Sequence, residues 1–455
     1  MNKKIFTNLI LFFLIPIQLL IFTFLVPPFQ KPDEQPHFEK SLLISKGYLF
    51  CKERSNNTVK LEKKYIDLIK NPYLDQLTHG KNTKLPLPVF LRDLFSKNQS
   101  NKLVDFNINN LCSFPIISYL PQAFVLWTLS FLNTNPIQSV YFVRLVMSFL
   151  GYFWFLYLYK KIVDNFRPIL LFTFALPMTL HQISSFSYDA LHIMFAMTFF
   201  VLIVSFPRRR ESSLKSQYFK LFFVLLLFLS SKKIGYETFF LFLFLIPFKI
   251  KPMIISSLIF IPFYFLLKLN GSYDIQASLT NSLINPNEQI NFLLSNPLHI
   301  IQIIFTTTIN RLSFYLQSLI GIFGWLEYGL DPLSYLIYGV FFIYILFKIN
   351  LQEKQLLAKN KIILLFTSLT ISYVFIVLLA FVFNTAPGLL TAHGVQGRYF
   401  IPFLPFIILL IAQFTQKINY FKNIKINELT KNTVYFFIIM YLISATFYAV
   451  FSRYY

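Results

Sequence analysis

Charged side chains make up only 13% of the 455 residues, against roughly 25% in a soluble domain, and that scarcity excludes a soluble monomer or a nucleic-acid binder as the starting class. Glycine is scarce as well, at 12 residues, which argues against a transporter built on glycine-broken helices at the bilayer midplane. Part of that deficit belongs to a general bias toward Phe, Ile, Lys and Asn. The chain has no P-loop, GxSxG, HExxH, CxxC or GxGxxG, so cytoplasmic nucleotide hydrolysis and ordinary metallopeptidase chemistry have no motif behind them. No internal repeat is visible. The cysteines number two, Cys51 and Cys112.

What is abundant is apolar, at 56% of residues with 58 Phe. A bilayer-spanning helix needs about 20 such residues at 1.5 Å per residue. Twelve stretches qualify, near 6–26, 138–159, 168–184, 188–206, 218–231, 236–248, 252–269, 310–326, 332–348, 362–383, 399–416 and 432–452. The expected fold is therefore an all-α polytopic membrane protein, a single membrane domain over residues 1–455 with about 11–12 transmembrane helices. Six basic clusters, at residues 3–4, 160–167, 208–220, 249–251, 348–361 and 417–431, hold twenty of the 41 Lys and Arg. They fall on one side if 297–330 is interfacial or re-entrant, leaving eleven crossings. By the positive-inside rule that side is the cytoplasm, which places the amino terminus inside and the carboxyl terminus outside. Lys3 and Lys4 precede an apolar run too long for a cleaved signal, and Val26-Pro27-Pro28 offers no small-residue cleavage site, so the first span reads as an uncleaved anchor in an inner (plasma) membrane.

Residues 27–137 form the first extracytoplasmic loop, with amphipathic helices expected at 39–46, 61–70 and 87–95. The apolar segment 114–132 is expected to lie as a helix against the outer membrane surface. A second extracytoplasmic loop with an interfacial segment covers 270–331. Cys51 and Cys112 both lie in the first loop. In an oxidising compartment they can pair, closing a roughly 60-residue loop worth about 4 kcal/mol; two unpaired thiols are the alternative.

Four constellations could carry chemistry. Asp33 and Glu34, with His37, sit among four prolines directly after the first span. Rigidly held, this pair could act as general base or hold a divalent metal through its carboxylates. Equally, Asp33 could be a helix N-cap with Glu34 in the first turn. Ser187-Tyr188-Asp189 joins two spans on the outside, where capping by Ser187 competes with function. Lys232, Lys233 and Tyr236 also fall outside, against the positive-inside trend, which requires either an anionic ligand or snorkelling to the headgroups. Gly397-Arg398-Tyr399-Phe400 offers a planar cation suited to phosphate, or an interfacial anchor. Arg144 lies inside a span and is a functional candidate by position, with a carboxylate or lipid phosphate as its partner. Trp325, Glu327 and Asp331 fall at the same outer level.

The pattern Pro-Pro-x-Gln-x-Pro-Asp-Glu-x-x-His-Phe at 27–38, Ser-Tyr-Asp at 187–189, Lys-x-x-Tyr at 233–236, Gly-Trp-Leu-Glu at 324–327 and Gly-Arg-Tyr-Phe at 397–400 resembles a bacterial membrane family, domain-of-unknown-function family 2142. The resemblance covers nearly the whole chain in order. The family typically has Asp-Glu-Pro where Gln35 stands and Gly-Trp-Leu-Asp where Glu327 stands. That family is similar to the GT-C superfamily of integral membrane glycosyltransferases. The similarity implies a GT-C-like fold, an essential acid in the first outer loop and a polyprenyl-phosphate-linked sugar as donor.

The expectation is thus sugar transfer from a lipid-linked donor to an envelope acceptor, with membrane lipid and the donor as partners and no nucleic acid. Asp33 or Glu34 would be catalytic, and His37, Tyr188, Asp189, Lys232, Lys233, Tyr236, Arg398 and Arg144 would bind substrate. A divalent metal on Asp33 and Glu34 is the open cofactor question. The competing classes are a transporter or lipid flippase and a non-catalytic partner in envelope polysaccharide assembly.

Overall fold

The structure, a computed structural model, describes residues 3–50, 57–80, 82–96, 100–206, 214–232, 235–247, 262, 264, 284–349, 351, 357–415 and 428–455. Cys51, Lys233 and nearly all of the expected span 252–269 lie outside them. The protein is all-α; among the described residues, sheet is confined to two short antiparallel pairs. Among the described residues, five helices are long and apolar enough to cross a membrane: Ile5–Phe24, Pro136–Lys161, Lys359–Asn384, Gly397–Thr415 and Asn432–Tyr454. A bent pair, Pro286–Ser295 and His299–Gly321, meets at 116° and would make a sixth. The spans expected at 188–206, 218–231 and 332–348 are single shorter helices, Asp189–Ser205, Leu214–Ser230 and Pro332–Lys348, and where a span breaks, proline explains it. The stretch expected at 168–184 divides into Arg167–Ala175 and Pro177–Ile183, with Leu176 extended at ψ 130° because a residue before proline avoids the helical region. Thr179 Oγ1 donates to Thr173 O at 2.8 Å, occupying a carbonyl that the break frees. In the first span a π turn at Ile10–Leu14 precedes Pro16, whose missing N–H interrupts the ladder.

The two faces of a spanning helix are both apolar and differ in what they touch. Pro136–Lys161 buries Val140, Val143, Met147, Gly151 and Phe155 while exposing Phe142, Phe149, Phe153 and Tyr157, a lipid-facing stripe of large residues opposite a packed one. Asp189–Ser205 is buried along both faces and forms the centre of the bundle with Pro177–Ile183. The first helix and the last run parallel: the Phe6 and Tyr435 rings meet at a tilt of 37° with centroids 4.3 Å apart, Gln18 Nε2 donates to Thr446 Oγ1 at 2.8 Å, and Tyr454 OH donates to Gln30 O at 3.3 Å. Parallel packing places the starts of these two helices at the same end of the bundle.

The first loop folds over one end of the bundle. Helices occupy Glu34–Ser45, Lys63–Ile69, Pro72–His79, Leu87–Phe95 and Leu120–Phe131, and strands Thr58–Glu62 and Leu103–Asn107 pair with Val59 opposite Phe106. The helix expected at 39–46 begins five residues earlier, at Glu34. That at 87–95 has the expected bounds. Arg453 closes this end: its guanidinium donates to Glu327 Oε2 at 2.5 Å, to Leu77 O at 2.7 Å and to Thr83 O at 3.0 Å.

Candidate functional site

Residues 27–33 emerge from the first span and cannot continue as helix, because Pro27, Pro28 and Pro32 remove donors. The turn is pinned from three sides. Arg144, fully buried, donates through Nε to Glu34 Oε1 at 2.8 Å, through Nη2 to Glu34 Oε2, through Nη1 to Val26 O at 2.5 Å and through Nη2 to Pro27 O at 3.0 Å. Phe29 N donates to Glu34 Oε2 at 3.1 Å. Lys31, 1% exposed, donates to Ser184 O and, at 2.8 Å, to Ser184 Oγ, at the end of Pro177–Ile183, where a cation suits the carbonyl end of a helix. Both oxygens of Glu34 are thereby engaged. Burial opposes its ionisation, but the Arg144 guanidinium holds the carboxyl below its ordinary value.

Asp33 ends differently. Its backbone is left-handed at φ 55°, and it holds the N-cap position of Glu34–Ser45 with Glu34 in the first turn, as the capping alternative has it, but its side chain makes no capping bond. Its Oδ2 accepts from Arg398 Nη2 at 3.1 Å, and the side chain is 47% exposed. Arg398 itself is buried. Its Nε stands 4.0 Å from Asp189 Oδ2, and among the described residues neither Nε nor Nη1 has a hydrogen-bond partner. A buried guanidinium with two idle donors is costly unless something fills them.

Asp189 begins the central helix, whose N-cap position falls to Tyr188 and not to Ser187 as the capping reading had it; Ser187 Oγ accepts from Asp189 N at 3.1 Å. Its Oδ1 accepts from Lys232 Nζ at 2.8 Å. Lys232 lies over the rings of Tyr399, Tyr236 and Tyr188 at 4.5, 4.9 and 5.0 Å, a cation–π enclosure, and Tyr236 OH donates to Tyr399 O at 2.9 Å. His37 Nδ1 and Tyr119 OH are 2.7 Å apart, and the His37 ring meets Tyr188 edge-on at 4.7 Å. Burial pushes His37 down to about 4, so it is neutral at pH 7.

The approach of Gly397 to the His299–Gly321 helix holds Arg398 in place. Its N–H donates to Ser318 Oγ at 2.8 Å, and a Cβ at 397 would collide with Tyr315 O and Leu319 N.

Of the residues singled out from sequence, Asp33, His37, Tyr188, Asp189, Lys232, Tyr236 and Arg398 converge at this end of the bundle. Glu34 and Arg144 form a separate buried pair beneath it. Glu327 pairs with Arg453, and Asp331 caps Pro332–Lys348 through Ser334 N at 3.0 Å; neither joins the cluster. Cys112 is disulfide-bonded, and Cys51, the chain's other cysteine, lies outside the described residues, as does Lys233. Sequence reasoning missed Lys31 and Tyr119, and took Tyr399 only as part of the Arg398 motif. Tyr399 was signalled by its place beside Arg398, whereas nothing local marks Tyr119.

A metal on the acidic pair does not fit this arrangement. Asp33 and Glu34 turn to different guanidinium groups, and among the described residues no three His, Cys, Asp or Glu side chains gather as a ligand set.

Fold and site together define a multi-pass helical membrane protein with a buried charged cluster at the end that carries its large first loop. The chain belongs to the family described as predicted membrane protein (DUF2142), which matches residues 16–407. No curated protein and no solved structure matches it.

Proposed function

We propose that the protein is a glycosyltransferase that moves a sugar from a polyprenyl-phosphate-linked donor to an envelope acceptor at the extracytoplasmic face of the inner membrane. The observation that carries this reading is the pairing of a half-exposed carboxylate, Asp33, with a buried arginine, Arg398, whose Nε and Nη1 find no hydrogen-bond partner among the described residues. Acceptor deprotonation needs a carboxylate open to substrate, and a phosphate leaving group needs donors fixed in advance. Asp33 takes the proton of the acceptor hydroxyl as that oxygen bonds to the sugar's anomeric carbon. The bond from that carbon to the phosphate oxygen breaks, and its electron pair leaves with the phosphate. Arg398 and Lys232 stabilise the charge that develops there. Attack opposite the leaving group inverts the anomeric centre. Glu34 and Arg144 act as positioning residues, holding the turn that presents Asp33.

In the competing reading, a flippase, the same groups would line a path across the bilayer. The cluster instead sits at one end, between the first loop and the starts of the helices at 189 and 397.

The test is sugar transfer by the purified protein in proteoliposomes supplied with a polyprenyl-phosphate-linked sugar, followed by mass spectrometry. Arg398→Gln is expected to lower transfer about 10²- to 10³-fold. Movement of unaltered lipid across the bilayer, without covalent transfer, would overturn the proposal.

A further inference from the structure

The last turn of the final helix is bonded into the first loop, a junction that catalysis as described does not use. Arg453 is buried there, and every nitrogen of its guanidinium donates. Nε and Nη2 donate to Glu327 Oε2 at 2.8 and 2.5 Å. Nη2 also donates to Leu77 O at 2.7 Å and Gly80 O at 3.3 Å, and Nη1 to Thr83 O at 3.0 Å. Leu77 and Gly80 close the helix Pro72–His79, so the cation lies at a carbonyl end, where it is favoured. On either side of it, Lys84 Nζ donates to Ser452 O and Leu85 N donates to Tyr454 O at 2.8 Å.

The same turn reaches the segment that presents Asp33. Tyr454, fully buried, donates from its hydroxyl to Gln30 O at 3.3 Å. Gln30 in turn donates through Nε2 to Leu74 O at 3.0 Å and to Thr78 Oγ1 at 3.1 Å, on the helix whose end Arg453 holds. The Tyr454 ring is set by the Arg453 guanidinium, 4.9 Å from its centroid, and by the Tyr328 ring, edge-on at 5.6 Å. Gly324, at φ 60°, makes the space, since a Cβ there would stand 3.3 Å from the Tyr454 hydroxyl and 3.0 Å from the Tyr328 ring. The Gly-Trp-Leu-Glu element thus supplies the gap for Tyr454 and, through Glu327, the counter-charge for Arg453. Arg144 and Lys31 hold the turn from within the bundle, and the junction at Gln30 holds it from the side of the loop.

We propose that Arg453, Tyr454 and Glu327 form a latch that positions Asp33 for the reaction given above, on which the proposal rests. They are positioning residues and act through Gln30, just ahead of the carboxylate. Proton transfer requires the base within hydrogen-bond reach of the acceptor hydroxyl, and a displacement of about 1 Å can cost about 10²-fold in rate. Releasing the turn therefore lowers turnover, while donor binding, which belongs to Arg398 and Lys232, stays in place.

The test measures transfer by the full chain in proteoliposomes supplied with a polyprenyl-phosphate-linked hexose and an envelope glycan fraction, with hydrogen exchange and melting followed on the same samples. Tyr454→Phe keeps the ring and removes the hydroxyl. Per folded molecule, kcat should fall about tenfold with the donor KM unchanged, and melting should move by no more than about 2 °C. The amides of Phe29, Gln30 and Glu34, which are hydrogen-bonded within the turn, should exchange about tenfold faster. Arg453→Gln should lower kcat about 10²-fold and speed exchange over residues 72–85 as well. A wild-type kcat in Tyr454→Phe, a rise in KM alone, or unchanged exchange at those three amides would overturn the proposal, and Tyr454→Phe decides this even where Arg453→Gln does not fold. A wild-type protein that transfers no sugar would overturn the glycosyltransferase reading, and the exchange rates would then decide by themselves whether the latch holds the turn. Transfer by wild type with an unaffected Tyr454→Phe would do the reverse.

Discussion

Two adjacent carboxylates have opposite fates because the backbone turns left-handed at Asp33. Glu34 faces inward to Arg144 with no exposure, and Asp33 faces the cluster with nearly half of its side chain open. Removing one member of a buried pair strands the other's charge, at a cost of about 3–5 kcal/mol. Glu34→Gln and Arg144→Met should therefore each lower the melting temperature in detergent, and the double variant should recover part of the loss. A double variant as unstable as the sum of the two would contradict the pairing. His37 gives a second prediction. Its folded pKa, about 4, lies below the ordinary 6.5, so the stability linked to its neutral form is present above pH 6.5. That stability is lost as pH falls through 4, by about 3 kcal/mol. Melting between pH 7 and pH 4 should show this loss, and His37→Gln should remove that share of it.

Among the elements, the contact between Gly397 and the helix His299–Gly321 sets where Arg398 can stand. Gly397→Ala should push the two apart, lowering both stability and transfer, the latter about tenfold. Ser318→Ala should cost only about 1 kcal/mol, the worth of one hydrogen bond. Wild-type melting and transfer in Gly397→Ala would show that the close approach is dispensable. Elements also differ in how well the sequence announces them. The helix at 87–95 was legible because its apolar residues repeat at helical spacing. The strands Thr58–Glu62 and Leu103–Asn107 were not, since each is five residues long and exists only through pairing 45 residues away. The start at Glu34 was legible as one of the two readings of residues 33–36, since proline is tolerated in a first turn, although the amphipathic pattern alone placed the helix at 39–46.

For the molecule as a whole, basic clusters predicted which residues share a side, and the site residues among the described chain meet at one end. What the pattern could not supply is pairing. Arg144 was marked by its place in a span, yet its partner could have been Asp33, Glu34 or a lipid. The parallel first and last helices add a topological prediction: the chain ends lie on opposite sides of the membrane. In a variant with the native cysteines replaced, Tyr455→Cys should react with an impermeant maleimide in intact cells, and Asn2→Cys only after lysis. Equal reaction of both in intact cells would contradict this arrangement.

The most direct measurement is transfer from a polyprenyl-phosphate-linked sugar by Asp33→Asn beside the wild-type protein, with melting followed in the same samples. Because Asp33 is half-exposed yet accepts from the buried Arg398, beside which Asp189 remains, the variant should lose about 1–3 kcal/mol of stability and stay folded while transfer falls about 10²- to 10⁴-fold. Transfer at the wild-type rate by a folded Asp33→Asn protein would contradict the assignment.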